Sequence, residues 1–363
     1  MFHSLRALLI GAALCVAVPG LSAQNATSAT QSATGVLRGT VSSTGGGPLA
    51  YAVVTIASLG LQQFSSTQGK FYFTKIPAGK YHLTIRQLGY QAVATDVTLG
   101  ANGSADIDVK MDRIATRLAT MRVLEEWRCT KPGSPGKKGG DLELLEVFEQ
   151  LEQNAVRLRL LMNEYPFDLR MERRRVLEND QGREVLDGVD TAHTLSSDKS
   201  RYVVGKVVNK ERMPNRTEQY FLQVPTLLDF AQEEFQKNHC FLLRGIDTTK
   251  GRHMIRVDFK ASEKIKQPDV EGTVFLDTST YRLRQTEIRL TKIPADIPGL
   301  ASLRATTFFD DVVPGMPIIS SITAVSDLRS ARGASPFNRA VENQSTLSLT
   351  FLKKRPESIP PND

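Results

Sequence analysis

Apolar and polar residues alternate with period two along most of the chain, in short runs closed by glycine, proline or asparagine. That pattern restricts the fold to one built mainly of antiparallel β-structure. Tyr81, Leu83 and Ile85 alternate with His82, Thr84 and Arg86, and Ile107, Val109 and Met111 with Asp106, Asp108 and Lys110. Further along, Phe167, Leu169 and Met171 alternate with charged residues, Ile255, Val257 and Phe259 with Arg256 and Asp258, and Leu347, Leu349 and Phe351 give the last clean alternation. Asn179-Asp180-Gln181-Gly182 supplies a hairpin turn, and Val270 to Asp277 and Tyr281 to Leu290 flank Thr278-Ser279-Thr280 as a second hairpin. Parity breaks between Leu283 and Ile288, and again through the doublets Phe308-Phe309-Asp310-Asp311-Val312-Val313, so bulges or strong curvature are expected there.

Two segments carry a helical period instead. From Asp141 to about Asn163, Leu144, Val147, Leu151, Ala155, Leu158 and Met162 recur at spacings of three and four, widened by Leu145 and Phe148 into one broad apolar face. Asp141 is placed to cap the first turn. Glu143 and Glu146 lie near the start and Arg157 and Arg159 near the end, the charge order that the helix dipole favours. A shorter helix is expected from Pro225 to Asn238, with Leu227, Leu228, Ala231 and Phe235 on one side.

A length of 363 residues accommodates two folded units, and a composition of 40% hydrophobic and 23% charged residues excludes collagen, long coiled coil and general disorder. Residues 36–112, broken by Gly45-Gly46-Gly47-Pro48, Gly69 and Pro77-Ala78-Gly79, read as a small antiparallel β-sandwich. Residues 141–355 read as an α+β domain, a curved antiparallel sheet with one or two helices on its concave side. Residues 113–140 run through Trp127, Cys129 and the breaker-rich KPGSPGKKGG and read as a linker. Residues 24–35 read as a flexible leader and 356–363 as a tail. The predicted fold class is therefore mainly β.

Residues 1–23 have the layout of a secretory signal peptide: Arg6, then apolar Ala7 to Val18, then Leu21-Ser22-Ala23 at the cleavage site. Pro19 and Gly20 interrupt the apolar run before it reaches the roughly 20 residues that a spanning helix needs. The expectation is an exported protein of the periplasm, the outer-membrane surface or the medium, with no transmembrane segment after cleavage. Removal of the signal also removes Cys15, leaving Cys129 and Cys240 in an oxidising compartment. There the pair is expected to form a disulfide, with two buried free thiols as the alternative. Isolated cysteines without CxxC spacing do not make a zinc site.

Gly39-x-Val41, Pro48-Leu49-Ala50 leading to Ala52-x-Val54, Gly69-x-Phe71-x-Phe73, Ile76-Pro77-Ala78-Gly79-x-Tyr81-x-Leu83 and Gly89-Tyr90 follow one another in an order that resembles the carboxypeptidase regulatory-like domain. The resemblance implies a transthyretin-like sandwich that serves as an accessory module without catalysis of its own. Ser65-Ser66 stand where that family often has Thr-Asp, which puts in doubt any turn or cation contact of that aspartate. The segment VEGTVFLDTSTYRLRQTEI, with its Asp277-Thr278 hairpin, and the order of elements over roughly residues 141–355 look similar to the half-barrel of bacterial lipoprotein-carrier proteins.

The net charge of +7 is spread over both units, so no nucleic-acid partner is expected. The dense run from Arg170 to Arg175 contains Glu172 and reads as a solvated strand face. No GxSxG, P-loop, GxGxxG or HExxH motif occurs, and His82, His193, His239 and His253 lack metal-ligand spacing. His239 adjoins Cys240, a pairing that a disulfide would disarm as a nucleophile. Asp310 and Asp311, adjacent on a strand, point to opposite faces, and Asp187 to Asp190 reads as a turn. Trp127, Tyr165, Tyr202 and Tyr220 are too scattered to stack single-stranded nucleic acid. No catalytic, cofactor-binding or metal site is assigned.

The function expected is that of an exported, non-enzymatic cell-envelope protein. Its sandwich would dock to an envelope protein, lipid or glycan, and its second domain would hold an apolar ligand. The alternatives are an accessory domain joined to a degenerate hydrolase, and a carbohydrate-binding module. An open apolar cavity in the second domain would favour a carrier, and a packed core an interaction module.

Overall fold

The computed structural model describes residues 34–115, 118, 127–135, 141–197, 201–212, 218–251, 253–295, 297, 299–329 and 337–353. Residues 1–23, expected as a signal peptide, the expected leader up to residue 33 and the expected tail lie outside the described residues.

The first unit contains β1 (Thr34–Ser43), β2 (Val53–Ile56), β3 (Leu61–Phe64), β4 (Lys70–Pro77), β5 (Gly79–Arg86), β6 (Val93–Leu99) and β7 (Ser104–Met111). They form two sheets, β4-β1-β7 and β3-β2-β5-β6, closed on a core of Leu37, Val41, Val54, Ile56, Phe71, Phe73, Leu83, Ile85, Val109 and Met111. One pair departs from the expected antiparallel pattern: β7 runs parallel to β1. The chain reaches β7 by crossing from β6 in the other sheet, so no tight hairpin dictates an antiparallel partner. The serines at the family's Thr-Asp position keep the turn. The Ser65 hydroxyl donates to the Leu49 carbonyl at 2.8 Å and accepts from Ala52 N–H at 2.9 Å, and Ser66 Oγ accepts from the N–H groups of Gln68 and Lys70 at 3.2 Å. Gly69 sits at φ +75° with the Val41 carbonyl 2.3 Å from where a Cβ would stand, so this turn requires glycine.

The second unit opens with α1 (Leu142–Glu164), whose N-cap Asp141 accepts from the N–H groups of Glu143 and Leu144 at 3.0 and 3.1 Å. Strands β8 (Phe167–Glu178), β9 (Glu184–Leu195), β10 (Val208–Arg212) and β11 (Glu218–Leu222) follow, then short helices α2 (Leu227–Phe230) and α3 (Glu233–Gln236). Strands β12 (His239–Asp247), β13 (Met254–Ala261), β14 (Val270–Asp277), β15 (Leu283–Leu290), β16 (Leu300–Val313), β17 (Met316–Leu328) and β18 (Arg339–Phe351) complete it. Except for the separate β10-β11 hairpin, these strands form one antiparallel sheet in the order β12 through β18, then β8, then β9; its ends do not join into a barrel.

The helix expected over Pro225 to Asn238 is instead two short ones. Asp229 turns inward, accepting from the backbone of Thr226 and Tyr202, and Gln232 N–H bonds the Asp229 carbonyl, which tightens and ends the first turn. The Asp187 to Asp190 segment is not a turn but part of β9. Arg173 and Arg175 on β8 clasp Asp190 at 2.8 to 3.0 Å, and Asp187 is absorbed as a bulge between the Arg175–Gly188 and Val176–Leu186 pairs. The two parity breaks are bulges: Arg284 is extra in β15, Ser320 in β17 and Val312 in β16.

Leu144, Val147, Phe148, Leu151 and Ala155 of α1 meet Phe230 and Phe235 of the short helices and Ile255, Val257, Phe259, Val274 and Leu283 of the sheet in one continuous core. Each of these larger side chains, Ala155 apart, contributes about 1.5 to 3 kcal/mol by leaving water. A second face of α1 is polar and buried, and it ties the two units together. Gln150 Oε1 accepts from Gly89 N–H at 2.9 Å, Asn154 bonds the backbone of Tyr281 and Leu283, and Arg157 donates to the carbonyls of Tyr51 and Gly315 and to Gln87 Oε1 at 2.5 to 2.8 Å. Arg157, expected near the helix end, is fully buried, with its guanidinium over the Phe64 ring. Around it Tyr51 packs with Leu161, Phe167, Leu169, Met171, Val313 and Met316.

Candidate ligand groove

Because Ile255, Val257 and Phe259 face the helical core, Arg256, Asp258 and Lys260 emerge on the other side of the sheet. Strand register extends that polar face. Arg289 pairs with both Glu271 and Arg304, and Lys260 lies one residue beyond the Phe259–Gly272 pair, so Lys260, Glu271, Arg289 and Arg304 form a row across β13 to β16. The neighbouring row is Asp258, Thr273, Glu287 and Thr306. A groove of about 440 Å³ runs over these rows and is walled by Trp127.

The wall is held by residues of the segment expected as a linker. Cys129 and Cys240 form a disulfide, Gly133 N–H donates to the His239 carbonyl at 3.0 Å, and Glu263 N–H donates to the Cys129 carbonyl at 3.2 Å. Lys260 Nζ donates to the Trp127 carbonyl at 3.0 Å and stands 5.8 Å from the centre of its ring. Over its described residues, 127–135, the segment is thus a strap bound to β12 and β13.

Within the groove Asp258 accepts from Arg244, Arg256 and Thr273 at 2.7 to 2.9 Å, so its carboxylate is committed to structure. Arg289 pairs with Glu271 at 2.9 Å and Arg304 with Asp327 at 2.7 Å, yet their side chains remain 66% and 50% exposed. The site therefore offers guanidinium donors and an indole face, groups suited to recognition.

Asp327 is the hinge of a small network behind the groove. Hydrogen bonds from Ser302, then Arg304 and Arg339, hold its pKa down to about 2, against an ordinary value of 3.8. A carboxylate depressed in the fold contributes stability that is complete above its ordinary pKa and is lost as pH falls through the folded value. Between pH 5 and pH 2 the urea midpoint of the protein is therefore expected to fall more steeply than that of an Asp327→Asn variant; parallel profiles would remove this role.

The other residues singled out in the sequence lie apart from the groove. His82 pairs with Asp96 on the exposed face of the sandwich at 2.8 Å, His193 lies 3.4 Å from Asp168, and His253 is exposed. His239 is buried, stacked on Phe235, with its ring nitrogens 2.8 and 3.1 Å from the carbonyls of Phe235 and Val270; burial pushes its pKa down. Beside a disulfide-bonded Cys240 it has a structural place. Tyr202 donates to buried Asp269 at 2.8 Å, and burial, then Asp269, drives its pKa up. Tyr165 packs edge-on to Phe351 at the seam, and the side chain of Tyr220 lies outside the described residues. Asp310 is exposed, whereas Asp311 faces inward to Arg282 at 2.6 Å, on opposite sides of β16 as expected. Along the basic run, Arg170, Glu172 and Arg174 are exposed while Arg173 and Arg175 are half-buried against Asp190. Among the described residues no group of three or more His, Cys, Asp or Glu is placed to hold a metal, and no helix is long and apolar enough to cross a membrane.

Sequence reasoning missed both Arg157 and the groove cations. A signal for the first exists in Gln150, Gln153, Asn154 and Arg157, a polar row at helical spacing beside the apolar one. For the second it lies in the charged parity of β13 to β16, where Lys260, Arg289 and Arg304 meet only through register.

Fold and groove together define a two-unit β protein, a β-sandwich fastened to an open antiparallel sheet. Residues 36–112 match the carboxypeptidase regulatory-like domain family. No curated protein sequence matches the chain. Among solved structures it is similar to an outer membrane lipoprotein-sorting protein domain from Vibrio parahaemolyticus (12% identity, 58% of this chain and 93% of that one, TM-score 0.32). It is also similar to a DUF1329 family protein from Desulfovibrio piger (7% identity, 57% and 94%, TM-score 0.31). A third similarity is to 3-chlorocatechol 1,2-dioxygenase from Rhodococcus opacus 1CP (13% identity, 22% of this chain, TM-score 0.19), of which the chain spans 60%. Likenesses this faint carry no functional inference.

Proposed function

We propose that this chain is an exported, non-catalytic binding protein of the bacterial cell envelope, in which the sandwich and the sheet unit act as one body and the groove beside Trp127 takes a polar ligand. The observation that carries this reading is the groove: a half-buried tryptophan facing a row of arginines and a lysine on a hydrogen-bonded sheet. Tryptophan and arginine are the residue types that dominate binding hot spots. The space beneath α1, where an apolar ligand was the expectation, is taken up by Phe230, Phe235, Phe259 and their neighbours, which disfavours an acyl chain there. Catalysis is disfavoured because the acids lining the groove are engaged, Asp258 by two arginines and a threonine, Glu271 by Arg289 and Glu287 by Gln285. Export rests on the signal-peptide layout of residues 1–23 and on the disulfide.

The test is a thermal-shift screen of the mature protein against polar metabolites, glycans and lipids, paired with native mass spectrometry of protein recovered from its envelope fraction. Stabilisation by a polar compound that disappears in Trp127→Ala supports the reading. A retained lipid indifferent to Trp127, or turnover of a peptide or glycan substrate, overturns it.

A further inference from the structure

We propose that the groove is a subsite for acidic saccharides, in which carboxylates of uronic-acid units engage Arg289 and Arg304 while a sugar ring lies against Trp127. This rests on the binding reading above and adds the chemical class of the ligand.

Arg289 and Arg304 are direct cross-strand partners on β15 and β16. Like charges so placed repel, and sheets ordinarily avoid the arrangement. Here each guanidinium is drawn away from the other by an acid on its far side, Glu271 for Arg289 and Asp327 for Arg304. The two strands run about one spacing, ~4.8 Å, apart, and each guanidinium pairs with an acid on the side away from the other. Each ion pair engages one nitrogen, Nη2 of Arg289 and Nη1 of Arg304, and a guanidinium carries five N–H donors in all. The donors that remain are those a carboxylate bridging the pair would use, with the planar fit that guanidinium gives to carboxylate.

The row sets the ligand's length. From Lys260 to Arg304 there are three strand spacings, about 14 Å, the span of a short oligosaccharide. At the Lys260 end stands Trp127, whose indole face is the kind of surface on which the C–H face of a pyranose rests. The platform is fixed in advance by the disulfide two residues away, by the Lys260 bond to its carbonyl and by the Arg128–Glu263 pair, so little freedom is lost on binding. Glu271 stands between Lys260 and Arg289, and Asp258 and Glu287 lie one row behind, so the place for a ligand carboxylate is the Arg289–Arg304 end, where the cations are adjacent.

Isothermal titration of the mature protein with trigalacturonate, and with the same trimer as its methyl ester, tests the assignment. The free acid is expected to bind, and the ester, Trp127→Ala and Arg304→Gln are each expected to weaken binding by about tenfold or more. Arg304 lies away from the strap, so that variant reports even if Trp127→Ala disturbs the fold; Trp127→Phe, which keeps a ring, is expected to retain most of the affinity. Absence of binding by the acid trimer, equal binding of acid and ester, or indifference to Arg304→Gln overturns the proposal. If trigalacturonate fails while another polar compound still stabilises the protein through Trp127, the saccharide assignment falls and the binding reading stands; if nothing depends on Trp127, both fall.

Discussion

Replacing Arg157 by methionine is expected to uncouple the sandwich from the sheet unit and to cost roughly 2 to 5 kcal/mol, the range for stranding buried acceptors once a charged donor is removed. The guanidinium reaches the Gly315 carbonyl at 2.6 Å, the Tyr51 carbonyl at 2.5 Å and Gln87 Oε1 at 2.8 Å, so one side chain satisfies groups from both units. Burial, with a smaller push from Arg282, draws its pKa down to about 9, which shows how strongly the site resists the charge it holds. Methionine matches the length without donating, and three oxygens each lose a charged donor. The wild type is expected to melt in one calorimetric transition and Arg157→Met in two, the sandwich separating from the rest. Lysine should rescue little, since a single ammonium cannot serve oxygens arrayed around a planar fork. An Arg157→Met protein that still melts in one transition at the wild-type temperature would rule out the latch.

Opening the disulfide is expected to have the other large effect. Cys129 and Cys240 are 111 residues apart in sequence, and closing a loop of that length stabilises by roughly 4 to 5 kcal/mol through the entropy it removes from the unfolded chain. Reduction, or the paired substitution Cys129→Ser with Cys240→Ser, should lower the melting temperature by on the order of 10 °C. It should also free Trp127 from the groove wall, visible as a shift in the emission of this sole tryptophan. If the reduced protein melts as the oxidised one does, the strap is held by its hydrogen bonds alone.

The sandwich, the long helix, both hairpin turns and the three bulges were legible because each rests on a local cue: period two, period three to four, a glycine turn, a broken parity. The helix over residues 225–238 was misread because Asp229 serves tertiary partners, the backbone of Tyr202 and the first turn itself, and those override helix propensity. Asp187 to Asp190 looks like a turn by composition, and pairing with β8, reinforced by Arg173 and Arg175 on Asp190, holds it extended. The groove was hidden for a related reason. Lys260, Arg289 and Arg304 stand far apart in sequence and become neighbours through pairings that no local pattern announces. Arg157 was missed because a cation near a helix end has a sufficient local explanation, the dipole, which concealed its partners on another unit.

The order of strands in the large sheet sets a sequence of events in folding. β8 and β9 leave the ribosome early, but the neighbour of β8 is β18, with Phe167 opposite Phe351. Until that last strand arrives, Phe167, Leu169 and Met171 border an open edge, and the hairpin they belong to leans only on α1 and on Tyr51 and its neighbours in the sandwich. Late, long-range pairing of this kind is slow and leaves edges exposed to misassociation. The sheet is therefore completed only once residues 339–351 are in place.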